Sequence, residues 1–272
     1  MISKTSSTIK IFSFYYKNTP LLIQDDIYCP IMAGNVFVNN KNKIQGDDTD
    51  DNISVKNRNY SELTGLYWVW KNTHEDIVGS CHYRRYFSSK PEPFLYKLKR
   101  LLYLPIGLYK KRYGLIYTNN ISCFLPRIIK KEEIEILMSE HDAVLPKARK
   151  LKYTVEEHYR RYHNREDLRL LASILSQKHP DYVASFQTLL KSKRLYSNNM
   201  FILHNNHFQE FMEWLFDLLF EFERQINIEQ YSGYQERILG FIAERLLNVW
   251  FIKKELDIIE LPVIYFKSQK TL

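Results

Sequence analysis

Order along this chain first shows in TIKIFSFYY (residues 8–16), where β-branched and aromatic residues crowd together and predict an early strand. A polar passage follows, NNKNKIQGDDTDDNISVKNRN (39–59), with no apolar period, and reads as loop. In YSELTGLYWVWKN (60–72), Leu63, Leu66, Tyr67 and Trp70 recur at helical spacing, with Asn57 or Asn59 available as caps. Trp68 and Trp70, with Tyr60 just before them, give this helix an aromatic inner face of the kind that usually packs in a core. DIVGSCHY (76–83) and HDAVLP (141–146) read as short strands, the second preceded by the helical KKEEIEILMSE (130–140). Strands alternating with helices predict an α/β layered domain.

The second half is more helical. Thr154 and Glu157 have the spacing of a capping box and mark a helix start. SNNMFILH (197–204) is a short strand. HFQEFMEWLFDLLFEFERQI (207–226) sets Phe208, Phe211, Trp214, Leu215, Leu218, Leu219 and Phe222 on one broad face. YQERILGFIAERLLNVWFIKK (234–254) predicts a last long helix with Ile238, Ile242, Leu246 and Val249 aligned. On its wheel Gln235 and Arg245 fall near the apolar face and Glu244 points away. A polar group on a buried face needs a partner, which makes Gln235 and Arg245 candidate ligand-binding residues.

With 272 residues and 45% hydrophobic content the chain can bury the core of a single domain, 1–272. Its halves divide near residue 150. A basic, aromatic stretch, residues 91–117, sits within the first half; it reads as a helical excursion, broken at Pro105, or as a peripheral membrane contact. Thirty-nine basic against 31 acidic residues give a formal charge of +8 and favour anionic partners without choosing among them. The three cysteines, Cys29, Cys81 and Cys123, lie far apart, which argues against a disulfide framework or zinc cluster and fits a reducing cytoplasm. No signal-peptide core or membrane-spanning run is visible, so a soluble or peripheral protein is expected. Dinucleotide, P-loop, zinc-protease and nucleophile-elbow motifs are all missing from the sequence.

The stretch that asks for a ligand is GSCHYRRYF (79–87). Ligands of open α/β sheets bind where loops leave the carboxyl ends of strands, and His82, Tyr83, Arg84 and Arg85 occupy such an end. Arginine's planar fork matches phosphate and stays charged, so Arg84 and Arg85 suit a diphosphate. In an extended segment alternate side chains oppose each other, and one of the pair is expected to face the ligand. Pairing with an acid of the GDDTDD loop is the structural alternative.

GDDTDDNISVKNRNYSELTGLYWVWKN, VGSCHYRRYF, NMFI and GFIAERLLNVW together resemble a bacterial family defined by a domain of unknown function, whose members occur in capsule and O-antigen biosynthesis and are grouped with glycosyltransferases. The likeness runs from about Ile9 to Leu261, and 91–117 looks like a variable insertion. It implies a GT-A type fold: a Rossmann-like nucleotide-sugar-binding half with a helical, acceptor-side C-terminal half. Some relatives are associated with galactofuranose transfer, so the implied donor is a UDP-hexose and the acceptor a glycan or lipid-linked glycan. Asp47, Asp48, Asn52, Lys56 and Asn57 are then expected at the base and ribose, and Asn198 and Asn199, with Tyr196, near sugar hydroxyls.

GT-A enzymes usually carry a metal-binding Asp-x-Asp where this chain has HYR. Asp48 and Asp50 lie earlier, before the aromatic helix. Metal independence is therefore expected, arginine charge standing in for metal charge, with manganese as the alternative. An inverting transferase needs a carboxylate base, for which Glu157, Asp142 and Glu244 are the candidates, Glu157 first. Capping, strand-end pairing and a surface ion pair are their ordinary roles. A non-catalytic protein binding RNA or another anionic surface is the rival reading; its charge and tyrosines fit, but no RNA-binding motif is present and the acids cluster beside the basic site.

Overall fold

A computed structural model describes residues 7–39, 44–103 and 115–267. Its strands are β1 (Ile9–Tyr15), β2 (Tyr28–Met32), β3 (Gln45–Gly46), β4 (Ile77–His82), β5 (Arg85–Phe87), β6 (Leu115–Thr118), β7 (Ala143–Pro146), β8 (Arg149–Lys150), β9 (Arg194–Leu195), β10 (Phe201–His204), β11 (Ile258–Leu261) and β12 (Val263–Phe266). The main sheet has the order β11-β7-β10-β4-β1-β2-β3. Strands β1 to β4 run parallel, and β10 is antiparallel to both its neighbours, β4 and β7. Consequently the carboxyl ends of β1, β2 and β4 open on one edge, where an α/β sheet meets its ligands. Beyond β4 the chain turns back into β5, which pairs with β12, itself parallel to β6.

The helices are α1 (Asn57–Tyr60), α2 (Leu63–Asn72), α3 (Phe94–Tyr103), α4 (Ile121–Phe124), α5 (Lys131–Glu140), α6 (Val155–Tyr162), α7 (Arg165–Lys178), α8 (Val183–Lys191), α9 (Asn205–Gln225) and α10 (Ile238–Lys254). The larger core joins one face of the sheet to α2 and α6–α10; the other face packs on α5 and β12. Helix α9 buries the seven apolar residues its periodicity predicts, each contributing about 1.5–3 kcal/mol of transfer free energy. Helix α10 is buried on nearly every side from Ile238 to Phe251, so it lies inside the helical half rather than on it. As expected, Tyr60 and Trp68 are core residues, and Trp70 stacks on Phe216.

Several expectations need correction. The polar passage 39–59 is not all loop: β3, a 3₁₀ turn (Ser54–Lys56) and α1 form within it, around the fully buried Asp47. The helix that starts at Thr154 stops at Tyr162, because Asn164 caps a second one by accepting from the Glu166 amide. Thr154 does cap the first, its hydroxyl accepting from the Glu157 amide at 3.2 Å, but the Glu157 carboxylate turns to Arg160 and Arg161 instead of closing the box. Helix α10 begins four residues after Tyr234, since Gly233–Arg237 form a 3₁₀ turn opened by Gly233 at φ 57°. Gln235 is therefore off the α10 wheel. Of the stretch 91–117, α3 and part of β6 are seen, while Pro105 lies outside the described residues. No helix among the described residues is long and apolar enough to cross a membrane.

Candidate functional site

A cleft of about 550 Å³ opens at the carboxyl ends of β1, β2 and β4, within the roughly 300–1,000 Å³ of small-molecule sites. Its walls come from the end of β1 (Phe14, Tyr15, Tyr16), the residues around α1 (Asn57, Arg58, Ser61, Glu62), the β4–β5 turn (His82 to Arg85), the 3₁₀ turn before α10, and Tyr265. Asn57 is fixed by donating to the Ser61 carbonyl and the Thr64 hydroxyl. It lies against Gly34, where a Cβ would stand 2.4 Å from the Asn57 Cγ and φ is 71°, so that position requires glycine.

The HYRR stretch is a hairpin turn. His82 pairs with Arg85 across β4 and β5, leaving Tyr83 and Arg84 as the two-residue connection. The expectation that one arginine faces away fails for this reason: both Arg84 and Arg85 line the cleft. Arg84 donates to the Lys267 carbonyl at 2.7 Å, and its guanidinium lies 4.8 Å from the Tyr83 ring centre. Arg85 lies 5.1 Å from the Tyr265 ring. Among the described residues neither pairs with a carboxylate, and the Nε of each is buried without a partner. The other two arginines of the cleft are neutralised. Arg58 makes a two-pronged bond to Glu236 at 2.9 and 2.8 Å, and Arg237 reaches Glu62 at 3.3 Å. Among the described residues, four arginines against two glutamates leave two positive charges in the cleft, both in the turn after β4.

His82 donates from Nε2 to the Asn198 carbonyl at 2.6 Å. A carbonyl only accepts, so Nδ1 is left as the acceptor nitrogen. Burial, then the Arg85 charge, push its pKa down to about 4, so the ring is neutral at physiological pH. Glu62 resists the rise that burial alone would cause; His82, Arg237 and the Asn199 amide hold its carboxyl below the ordinary value. Tyr16 and Tyr83 share a 2.9 Å hydroxyl–hydroxyl bond and meet edge to face, forming an aromatic rim.

Of the residues singled out in the sequence, Asn57, His82, Tyr83, Arg84 and Arg85 meet in this cleft. Asn198 and Asn199 stand one layer behind it, holding His82 and Glu62. Asp47 does not reach it: it is wholly buried, accepting from the amides of Gly34 and Asn35 and from the Ser54 hydroxyl. Asp48 accepts from the Asn35 side chain, Asn52 bonds to its own loop, and Lys56 pairs with Glu223 at 2.6 Å. Gln235 accepts from His163 and donates to the Tyr162 carbonyl. Arg245 is buried among Tyr159, the Phe241 carbonyl and Glu244. Tyr196 donates to Glu260.

The three expected carboxylates also lie outside the cleft. Glu157 is held by two arginines of its own helix, and Asp142 accepts from the Asp257 amide. Glu244 does not point away into solvent; it accepts from the Asn198 amide at 2.8 Å, because α10 is surrounded. The sequence reading missed Tyr15, Tyr16, Arg58, Glu62, Glu236, Arg237 and Tyr265. For Tyr15 and Tyr16 a signal existed, since they end a strand just as His82 does.

A parallel-rich sheet with two reversed strands, β5 and β10, a cleft at its carboxyl edge and a helical C-terminal part make this a GT-A-like fold. The chain belongs to the family of the domain of unknown function DUF4422, whose model matches residues 10–255. It is similar to a solved structure titled WbbM bifunctional glycosyltransferase, apo form, at 28% identity and a TM-score of 0.84, over 96% of this chain and 46% of that one. The chain thus spans about half the length of that relative. No curated protein matches it.

Proposed function

We propose that the chain is a glycosyltransferase that moves a hexose from a UDP-sugar, galactofuranose being the first donor to try, onto a surface polysaccharide or lipid-linked glycan. The observation that carries this reading is the pair Arg84 and Arg85, set at the strand edge without carboxylate partners among the described residues. Two guanidinium forks supply one charge for each phosphate of a sugar diphosphate, and the same charges would stabilise the departing UDP. The likeness to a bifunctional glycosyltransferase supports the same chemistry. Asn57 and the acceptor nitrogen of His82 offer neutral partners for hydroxyls, and the Tyr16 rim offers an aromatic face for a base. Arginine here takes the part that a divalent ion plays elsewhere, so no cofactor is required in this reading.

The site of action proposed is the cytoplasmic face of a membrane, with α3 as the contact. Phe94, Leu95, Leu98, Leu101 and Leu102 on that helix are exposed, and residues 93–117 contain no acid. The test of function is UDP release by the purified protein across a panel of UDP-sugars, with and without EDTA. Release from one donor that survives EDTA is expected. Release abolished by EDTA and restored by manganese would overturn the arginine role, and neither release nor UDP binding by calorimetry would overturn the transferase reading.

A further inference from the structure

The base expected of an inverting transfer is not any of the carboxylates singled out in the sequence, since Asp142, Glu157 and Glu244 all stand outside the cleft with their oxygens engaged elsewhere. Among the described residues, the carboxylates that line the cleft are Glu62 and Glu236. Glu236 is consumed: Arg58 grips both its oxygens, and the Gly233 amide adds a third bond to Oε1. Glu62 is differently placed. Its Oε1 accepts from the Asn199 side-chain amide at 3.0 Å and its Oε2 from Arg237 at 3.3 Å, and its own backbone amide adds a third donor. An ionised carboxylate has about four acceptor positions, so Glu62 keeps one open.

Its support is rigid. Asn199 sits at φ 48° and Ser61, just before Glu62, at φ 54°, conformations held only when their surroundings determine them. Arg237 is braced in turn on the Ser61 hydroxyl at 2.8 Å. The arrangement orients a carboxylate from two sides and leaves it facing the same cleft as Arg84 and Arg85.

We infer that Glu62 is the general base of the transfer, an inference that rests on the reading above. The acceptor hydroxyl gives its proton to a Glu62 oxygen as its own oxygen bonds to the anomeric carbon. The bond from that carbon to the diphosphate breaks, and its electron pair leaves on UDP, opposite Arg84 and Arg85. Glu62 then returns the proton to water. Attack on the face opposite the leaving group inverts the anomeric centre.

The test uses the full chain with Glu62→Gln and Glu62→Ala, UDP-galactofuranose as donor and octyl galactoside as acceptor, beside UDP binding by calorimetry. Glu62→Gln should lower kcat by at least about 100-fold while UDP affinity stays within about threefold. Sodium azide or formate should restore part of the rate to Glu62→Ala, which a merely structural role would not allow, and the product should carry the inverted anomer by NMR. Wild-type turnover together with a Glu62→Gln enzyme within about fivefold of it, or a retained anomer, overturns the role of Glu62 and leaves the transferase reading standing. A wild-type chain that neither binds UDP nor releases it from any UDP-sugar removes that reading first, and this inference with it.

Discussion

His82 donates its Nε2 proton to the backbone carbonyl of Asn198 at 2.6 Å, so a ring that lines the cleft is aimed by a residue that does not. Asn198 sits at φ 77° and its neighbour Asn199 at φ 48°, while the Asn198 amide is tied to Glu244. Asparagine tolerates this left-handed region better than other side chains, but the turn still stores strain at a site-supporting position. Asn198→Gly should leave stability within about 0.5 kcal/mol of wild type, and Asn198→Val should cost about 2 kcal/mol and lower kcat as the ring loses its alignment. Urea midpoints and kcat of the two variants check this; equal stability would mean that no strain is held there.

Arg85 makes no ion pair among the described residues, and its guanidinium lies over the Tyr265 ring. Removing it should therefore weaken ligand binding without unfolding the protein. Arg85→Ala is expected to reduce UDP affinity by about 10- to 100-fold, the loss of a charge-assisted hydrogen bond or two, with the melting temperature nearly unchanged. Arg85→Lys should recover part of the affinity, as a point charge without the fork. Calorimetry at low and moderate salt reads both; unchanged affinity in Arg85→Ala would remove the diphosphate from this turn.

Helix α3 exposes Phe94 and Leu95 at 74% each, with Leu98, Leu101 and Leu102 beside them. Its attachment to the domain runs through Tyr96, which packs on Phe124 and accepts from Asn120. An apolar face in a stretch without acids suits an anionic lipid surface. The protein should co-sediment with phosphatidylglycerol vesicles more than with phosphatidylcholine ones. Leu98→Asp with Leu101→Asp should cut that binding by about tenfold, leaving UDP affinity intact. Vesicle binding equal to wild type would acquit the helix.

The longer elements were legible in the sequence, because β1 and β4 are apolar runs and α2, α9 and α10 repeat apolar residues at helical spacing. Of the short ones, β7 and β10 were also legible, but β2 and β3 were not. The β2 strand YCPIM carries a proline and spans five residues, and β3 has only two, so their strand character comes from the neighbour they pair with. His82 and the arginines were found because a strand's carboxyl end announces itself. The expectation that only one of the two arginines faces the ligand failed because pairing of His82 with Arg85 makes a turn that brings both round. Glu62 was invisible: its place depends on positive φ at Ser61, which serine does not advertise, and on Arg237, 175 positions away in the chain.

Histidine burial gives the fold a pH limit. His82, His158 and His163 each have a pKa pushed down to about 4, by burial first and then by nearby arginines, with Gln235 opposing at His163. The unfolded chain keeps them near 6.5, so between those values it binds more protons than the folded one, and stability rises with pH. Their contribution is complete above about pH 6.5 and is lost as pH falls toward 4. Carboxylates held low by arginine, such as Glu157 and Glu221, act in the same direction but only below their ordinary range. A fall in melting temperature between pH 7 and pH 5 therefore reports the histidines, and on the order of 5 °C is expected. His163→Gln should flatten that slope in part, since the imidazole it removes is one of the three. A melting temperature that holds steady to pH 5 and drops only below 4.5 would assign acid lability to the carboxylates instead.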